Sequence, residues 1–422
     1  MKLLRLGSTG PDVEALQLAL GRIGYYSQQP DGIFGTNTRL AVLRFQNDFG
    51  LQPDGIVGAL TWAALHPYLT GYSRYTVKPG DTYYKLADEF YTTAKAIAAA
   101  NPGIDPLNLQ PGTVITVPYG FSVVPVNIRI TSELYALIIE GLTARYPFIG
   151  RQEIGRSVMG RSLDALSIGS GSRELMFNAA HHANEWITTP MLLKFIEDTA
   201  KSITQDTYFR AAEFLQNRKL YAVPLVNPDG LDLVTGSLTE GRYFDGARRI
   251  SASYPAIRFP SGWKANIEGT DLNLNYPAGW ELAREIKFRQ GYVSPAPRDY
   301  VGTTPLSAPE SRVMYDFTLS RNFSLTISFH TQGQVIYWKY DGFEPERSRE
   351  IADAMAAVSG YSVDITPSES DNAGYKDWFI KQYNLPGYTI EMGSGTNPLP
   401  LSQFDAIYKA GCAIMTKAIE LA

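Results

Sequence analysis

The arrangement of apolar and polar residues changes in character along the chain. After about residue 120, short apolar runs such as ELMFNAA, KLYAVPLV and LTISFH alternate with longer stretches such as TPMLLKFIEDTAKSI and PESRVMYDFTLSRN. The short runs are typical of buried strands, and the longer stretches have the length and spacing of helices. This alternation predicts an α/β fold in which helices cover both faces of a mixed, largely buried sheet.

The beginning of the chain carries an internal repeat instead. The words QPDGIFGTNT, from Gln29, and QPDGIVGALT, from Gln52, match closely. Each contains an Asp-Gly pair, which is typical of a turn because glycine adopts positive φ without a steric penalty. The neighbouring helical patterns predict burial of Leu16 and Leu20 in one helix and of Leu40 in the next. This part of the chain is predicted to be a small three-helix unit.

A second small unit is predicted after the repeat. A strand is predicted at Tyr75–Val77, followed by a Pro-Gly-Asp turn, and helices are predicted around Tyr83–Phe90 and Thr93–Asn101. A closing strand at Val114–Val117 follows a further turn that contains Pro-Gly. The order strand, helix, helix, strand predicts a compact α+β unit.

Composition narrows the class of protein. With 422 residues, 44% of them hydrophobic and 19% charged, the chain is predicted to form two to four globular domains. The net charge of −4 argues against nucleic acid as the main partner, because no basic surface is available to neutralise phosphates. The sequence contains no run of 18 apolar residues, so no membrane span is predicted. Residues 7–12 interrupt the apolar start, so no ordinary secretory signal is predicted and the export route stays open.

Histidine is scarce in this chain, yet two of its four histidines fit a metal site. His182 lies three residues before Glu185 in HHANEW, and His330 ends the apolar run FSLTISFH. Two histidines and a glutamate form a ligand set that leaves the fourth position of a zinc ion open for water. The pattern therefore predicts one catalytic zinc per chain, held by these three residues.

Motifs along the chain resemble three known families. The Asp-Gly repeat resembles a peptidoglycan-binding domain over residues 1–70, and YTVKPGDT, IAAANPG and LQPGTVITVP resemble a LysM domain over residues 71–119. Residues 120–422 resemble the zinc carboxypeptidase (M14-type) family through HANEW, VNPDG, GWKAN, TDLNLN, SFH and TIEMG, in that order. The first two resemblances imply binding to peptidoglycan glycan strands, and the third implies a zinc peptidase.

The M14 resemblance implies roles for three further residues. Glu391, which ends the strand-like YTIE, corresponds to the general base and acid, which takes a proton from water and delivers it to the leaving amine. Lys264 stands where the family has an oxyanion-stabilising arginine, and lysine supplies charge without the planar fork. Asp271 corresponds to the carboxylate that orients the first zinc histidine.

Two departures from the family pattern concern substrate binding. Carboxypeptidases hold a terminal carboxylate with an Asn-Arg pair, whereas in this chain Leu274 occupies the arginine position, so the cationic fork is missing. The capping tyrosine has no clear counterpart, since Tyr375 is out of register. The residues predicted to bind substrate instead are Asn273, Arg242, Arg248, Arg249 and Lys376.

With these modules and DLNLN in place of DLNRN, the chain resembles the γ-D-glutamyl-L-diamino acid endopeptidase I type of spore-forming bacilli. The resemblance implies hydrolysis of the bond between γ-D-Glu and meso-diaminopimelate, or lysine, in peptidoglycan stem peptides, at the cell wall or spore envelope. Two alternatives stay open: a carboxypeptidase for ordinary peptides, and a wall-binding protein without activity. Leu274 disfavours the first, and the complete set of metal ligands with Glu391 disfavours the second.

Overall fold

A computed structural model describes residues 1–204 and 208–422 of the chain. The chain folds as two compact units: Met1–Gly150 with Glu197–Tyr208, and Arg151–Ile196 with Phe209–Ala422. None of the helices in the described ranges is both long and apolar enough to cross a membrane. The domain boundaries at residues 70 and 119 stay predictions, because both fall inside the first unit.

The first unit begins with three helices and continues with a strand–helix–helix–strand segment, as the sequence pattern predicts. In chain order its elements are α1 (Pro11–Arg22), α2 (Thr36–Asp48), α3 (Ala59–Thr70), β1 (Tyr72–Thr76), α4 (Tyr83–Glu89), α5 (Ala94–Ala100), β2 (Val114–Pro118) and α6 (Ser132–Arg145). Leu16 and Leu20 of α1 are fully buried, which confirms the predicted face of that helix.

The first repeat closes around a buried glutamine. Gln17, on α1, accepts the backbone N–H groups of Asp31 and Gly32 at 2.9 and 3.0 Å. Its amide donates to the Asp31 carboxylate at 2.7 Å and to the Thr38 hydroxyl at 3.0 Å. Gly32 has φ 69°, which is a conformation that few residues other than glycine adopt.

The second repeat contains the same device. Gln46, on α2, accepts the N–H of Gly55 at 2.9 Å and donates to the Asp54 carboxylate at 3.0 Å and the Thr61 hydroxyl at 3.2 Å. Gly55 has φ 72°. The repeat in the sequence is therefore a repeat of one hydrogen-bonded turn, in which a glutamine from the preceding helix satisfies the turn's backbone.

The buried face of α2 differs from the prediction. Leu40 is 46% exposed, whereas Ala41, Val42 and Phe45 are fully buried. The burial of Thr38 in the first turn of this helix places the inner face at positions 38, 41, 42 and 45, which follow helical spacing. Leu40 falls outside this face, so the prediction for it was wrong.

The strand–helix–helix–strand segment has its own small core. β1 and β2 pair antiparallel, with Tyr75 opposite Ile115. The hydroxyls of Thr82 and Thr93 accept backbone N–H groups at the starts of α4 and α5, which is the usual N-cap arrangement. The buried core residues of this segment are Val77, Tyr83, Leu86, Ala87, Ile97, Ile115 and Val117.

The second unit is an α/β domain. Its elements are β3 (Gly150–Arg156), β4 (Ser162–Gly169), β5 (Arg173–Ala179), α7 (Thr188–Thr204), α8 (Arg210–Phe214), β6 (Arg218–Val223), α9 (Pro228–Thr235), α10 (Gly241–Ala252), α11 (Trp280–Arg289), α12 (Pro309–Leu319), β7 (Phe323–Thr331), β8 (Val335–Tyr337), α13 (Ser348–Ser359), β9 (Ser362–Asp364), α14 (Tyr375–Tyr383), β10 (Gly387–Met392) and α15 (Phe404–Leu421). Gly150 of β3 and residues 197–204 of α7 belong to the first unit.

These strands form one mixed sheet flanked by helices, as the alternating pattern predicts. The strand order is β3-β4-β6-β5-β7-β10-β8-β9. The four central strands, β6, β5, β7 and β10, run parallel, while β4 pairs antiparallel with β6 and β8 pairs antiparallel with β10. Because parallel strands end at one edge of a sheet, residues that follow or end β5, β7 and β10 meet there. Glu391 on β10 lies directly opposite His330 on β7.

Candidate active site

Two predicted metal ligands come from one short segment after β5. A single turn of 3₁₀-helix begins directly after His182 and ends at Glu185. In a 3₁₀-helix, side chains three residues apart lie above one another. The Thr188 hydroxyl holds this turn, since it donates to the Glu185 carbonyl at 2.8 Å and accepts the Ala180 N–H at 3.1 Å. The spacing seen in the sequence therefore places both ligands on one side of the turn.

The third ligand, His330, brings its ring to the same point from β7. Its Nδ1 lies 2.9 Å from Oε2 of Glu185 and 3.1 Å from Nδ1 of His182. Nδ1 of His182 lies 2.9 Å from Oε1 of Glu185. All three side chains are buried. One ligand atom from each converges within 4.8 Å of the others, a spacing that suits a small dication with bonds of about 2.0–2.2 Å.

Asp271 orients His182, as the family resemblance implies. Its Oδ1 lies 3.1 Å from Nε2 of His182, on the far side of the ring from the cluster. Burial works to raise the pKa of Asp271, but His182 and Lys264 outweigh it and hold that pKa well below its usual range. The carboxylate therefore accepts the Nε2–H of His182, which leaves the Nδ1 lone pair directed at the other ligands. This arrangement fits a bound metal.

The cluster leaves one buried atom without a partner. Nε2 of His330 has no hydrogen bond to any residue in the described parts of the chain, although it is buried. The adjacent His181 packs its ring 5.9 Å from that of His330, and it uses Nε2 to contact the Tyr276 hydroxyl at 3.0 Å. Burial holds the pKa of His181 well below its usual value. His181 therefore acts as a neutral packing residue beside the ligands.

Lys264 and Glu391 lie beside the ligands. The Nζ of Lys264 lies 3.4 Å from Oε1 of Glu185. Burial works to lower the pKa of Lys264, but the carboxylates of Glu185 and Asp271 outweigh it and raise that pKa, so the lysine stays charged. Burial raises the pKa of Glu391 to about 8, and the negative charge of Glu185 adds to this. Both side chains face the cleft described next.

The cleft has two lobes that meet at the predicted catalytic residues. The first lobe, of about 210 Å³, contains His182, Asp271 and Asn273. The second, of about 790 Å³, is lined by residues that include Asn184 and Asn397. The residues that line both lobes are Lys264, Arg298, Tyr337 and Glu391. The cleft therefore extends to both sides of the pair formed by Lys264 and Glu391.

The structure shows the consequence of the Asn-Leu pair in the first lobe. Oδ1 of Asn273 accepts the backbone N–H of Tyr375 at 3.0 Å, which directs its amide group away from that backbone. Leu274 is 7% exposed and packs with Trp280 and Val301 in an apolar cluster. The Tyr375 ring is fully buried and cannot cap a substrate. No cationic fork is therefore built at the Leu274 position.

The basic residues predicted to bind substrate lie in different places. Lys376 lines the first lobe, but its Nζ is already engaged by the Lys339 carbonyl at 2.8 Å and by Asp377 at 2.8 Å. Arg248 and Arg249 are exposed on α10 and are not among the described residues that line either lobe. Substrate contacts by these three residues stay predictions.

Two residues at the junction of the lobes, Tyr337 and Arg298, have no recognisable signature in the sequence. Tyr337, on β8, stands beside Glu391, and both burial and that carboxylate raise the pKa of Tyr337. Arg298 comes from the irregular segment after α11. Neither residue belongs to a motif with recognisable spacing, so only the three-dimensional arrangement brings them into the site.

The fold and the site together define a zinc peptidase of the carboxypeptidase type. The family model described as zinc carboxypeptidase matches residues 135–413, and the chain belongs to this M14 family. Models described as a putative peptidoglycan binding domain and as a LysM domain match residues 9–65 and 75–118. The chain therefore combines an M14 zinc peptidase with two modules associated with peptidoglycan binding.

Individual relatives share sequence or fold with this chain. The chain is 42% identical to gamma-D-glutamyl-L-diamino acid endopeptidase 1 of Lysinibacillus sphaericus over 67% of this chain and 70% of that protein. It is 39% identical to the uncharacterized protein YqgT of Bacillus subtilis over 65% of this chain and 73% of that protein. Carboxypeptidase A of Helicoverpa armigera has the same fold, with a TM-score of 0.56 and 18% identity over 90% of this chain and 85% of that one.

Proposed function

We propose that this chain hydrolyses the amide bond between γ-D-Glu and a diamino acid, meso-diaminopimelate or lysine, in peptidoglycan stem peptides. The observation that carries the proposal is a complete zinc ligand set next to a buried Leu274, where carboxypeptidases carry their cationic fork. The name of the Lysinibacillus sphaericus relative supports the same bond.

The shape of the cleft supports an endopeptidase. The two lobes meet at Lys264, Arg298, Tyr337 and Glu391 and extend to both sides of them. A substrate whose scissile carbonyl lies beside Glu391 therefore has room for further residues on its acyl side and on its amine side. A carboxypeptidase needs a closed, charged end for the terminal carboxylate, and Leu274 supplies no charge.

Proton transfer during the reaction is assigned to Glu391. Zinc in this site supplies Lewis-acid polarisation of a carbonyl and acidifies water. Glu391 takes the proton of the attacking water and delivers it to the leaving amine of the diamino acid. Burial raises the pKa of Glu391 above that of an exposed glutamate, which makes the carboxylate a stronger acceptor for the proton of water. Lys264 supplies positive charge to the oxyanion that forms on the substrate carbonyl.

The two N-terminal modules support action on the wall polymer. Both belong to families associated with peptidoglycan binding, so they hold the chain on its substrate and raise the effective concentration of the peptidase at stem peptides. We place the chain at the cell wall or spore envelope on this basis. Binding of the zinc-loaded Glu391→Gln chain to insoluble peptidoglycan, measured by co-sedimentation, tests this part, and a chain that stays in the supernatant contradicts it.

Mass spectrometry of L-Ala-γ-D-Glu-meso-diaminopimelate after incubation with the zinc-loaded chain tests the activity. The expected products are L-Ala-D-Glu and free diaminopimelate, with no cleavage by the Glu391→Gln control. A hippuryl-type substrate, which presents an ordinary C-terminal residue, provides the contrast. A larger kcat/KM for the hippuryl substrate would return this chain to the ordinary carboxypeptidases, and no turnover of either substrate would favour a wall-binding protein.

A further inference from the structure

Arg298 occupies a central position that its place in the sequence does not reveal. It lines both lobes of the cleft, a property shared by Lys264, Tyr337 and Glu391. The side chain of Arg298 is 44% exposed, so a ligand in the cleft can reach it. Its position at the junction places it beside the groups that the proposed reaction uses.

Two residues of the active site, Lys264 and Asp271, form hydrogen bonds with the backbone on either side of Arg298. The Pro297 carbonyl accepts the N–H of Lys264 at 2.8 Å. The N–H of Asp299 donates to Oδ2 of Asp271 at 3.0 Å, while Oδ1 of the same carboxylate orients His182. The carboxylate that aligns a metal ligand thus also positions the segment carrying Arg298, which gives the arginine a defined place relative to the metal.

The guanidinium of Arg298 is only partly engaged. Its Nε donates to Oδ2 of Asp299 at 2.5 Å. The other carboxylate oxygen of Asp299 already pairs with Lys287 at 2.8 Å, so one negative charge serves two cations. The two terminal nitrogens of Arg298 make no hydrogen bond to residues 1–204 or 208–422. A positive charge and a planar pair of donors are therefore left for a ligand.

We propose that Arg298 is a specificity-determining residue that binds a carboxylate of the substrate next to the scissile bond. The inference rests on the proposed function, because a γ-linked D-Glu keeps a free α-carboxylate close to the bond that is cut. The lysines that also line the first lobe are engaged: Lys264 lies beside Glu185, Lys287 pairs with Asp299, and Lys376, which is 3% exposed, pairs with Asp377. The planar guanidinium of Arg298 can donate two parallel hydrogen bonds to the two oxygens of a carboxylate, which the single ammonium group of a lysine cannot do.

The substrate has two carboxylates that Arg298 can bind, the α-carboxylate of D-Glu and the side-chain carboxylate of diaminopimelate. Three tripeptides with amidated C-termini distinguish between them. The reference is L-Ala-γ-D-Glu-meso-diaminopimelate. The second carries the α-carboxamide of D-Glu, and the third replaces diaminopimelate with L-lysine, which lacks the side-chain carboxylate. For the tripeptide that lacks the bound carboxylate, we expect the kcat/KM of the wild-type chain to be roughly 10- to 100-fold lower than for the reference. This is the effect expected when a charge-assisted hydrogen bond to the substrate is lost.

The Arg298→Gln chain should lose that discrimination. The ratio of kcat/KM between the reference tripeptide and the tripeptide that lacks the bound carboxylate should approach one, mainly through a change in KM, because the variant has no charge to distinguish them. Arg289→Gln, an exposed arginine on α11 that pairs with Glu285, serves as the matched control and should keep the wild-type ratio. Unchanged discrimination by Arg298→Gln against both modified tripeptides would overturn the proposal, even if the γ-D-Glu bond is cut.

A binding measurement separates this inference from the activity. Calorimetry with the zinc-loaded Glu391→Gln chain should show tighter binding of the reference tripeptide than of the tripeptide that lacks the bound carboxylate, and adding Arg298→Gln should remove the difference. If the wild-type chain cuts none of the tripeptides at the γ-bond but this binding difference is present, the proposed function fails and the carboxylate site stands. If the chain cuts the bond but binds the reference tripeptide no more tightly than either modified tripeptide, Arg298 has no such role.

Discussion

The turns of the N-terminal repeat and the metal centre both bury polar groups, but they do so in opposite ways. At the first turn, the amide of Gln17 donates to Asp31 and Thr38 and accepts backbone N–H groups, so its donors and acceptors are matched. At the metal centre, two histidine Nδ1 atoms lie 3.1 Å apart and point at the same carboxylate. The first arrangement is complete by itself, whereas the second needs a cation to balance its converging lone pairs.

This difference separates a structural network from a functional one. A closed network such as that of Gln46 stabilises the fold, because each buried group replaces the hydrogen bond that it makes with water. The open cluster of His182, Glu185 and His330 keeps its lone pairs directed inward, and the surrounding fold holds it in place. Substitutions in the closed network should therefore change stability, and substitutions in the open cluster should change metal binding and catalysis.

Glu391→Gln gives the largest effect expected. The variant should keep its fold and zinc, because Glu391 is not a ligand, while kcat on the γ-D-Glu substrate falls roughly 10²- to 10⁴-fold. Turnover measured with one equivalent of zinc per chain gives kcat, and metal analysis of the same preparation gives the zinc content. A variant within tenfold of wild type would assign the proton transfer to another group.

His330→Ala removes one of three ligands and tests the open cluster directly. Zinc affinity should fall by more than about 10²-fold, beyond the range seen when only an orienting partner is lost. Competition with a chelator measures this affinity. His66→Ala, which removes a partly exposed histidine paired with Glu140, should bind zinc like wild type. Undiminished affinity in His330→Ala would show that the ligand assignment is wrong.

Asp271→Ala should have a smaller effect on the same measurement. The variant removes the acceptor that orients His182, so zinc affinity should fall about 10- to 100-fold. Asp271→Asn keeps an oxygen that can accept the Nε2–H of His182, so it should lose less than the alanine variant. Equal losses in both variants would show that charge, and not orientation of the ring, is the contribution of Asp271.

Gln46→Ala tests the closed network and should leave catalysis unchanged. It leaves the buried N–H of Gly55 without its acceptor, which should destabilise the first unit by about 1–3 kcal/mol. Hydrogen exchange at the Gly55 amide and denaturant unfolding report the loss. Gln52→Ala, at an exposed glutamine of the same repeat, is the control and should stay within about 0.5 kcal/mol of wild type. Equal stability of the two variants would contradict the structural role of the turn.

Much of the fold and the metal site could be predicted because the relevant signals are local. The Asp-Gly turns, the strand-like runs and the His-x-x-Glu spacing each occupy a few residues, and the structure confirms the units that they predict. The exposure of Leu40 could not be predicted, because the orientation of α2 depends on Thr38 and its buried surroundings. A helical pattern allows several faces, and tertiary packing selects one of them.

His182, Glu185 and His330 could be predicted as metal ligands from the residues alone, because they carry recognisable chemistry at recognisable spacing. Which cations accompany these ligands depends on how the chain folds: Arg298 reaches the junction of the two lobes, while Arg248 and Arg249 lie on an exposed helix. The physical reason is that a ligand set repeats a fixed coordination geometry, which constrains spacing in the chain. A charge in a cleft has no such constraint, because any loop that the fold brings near can supply it.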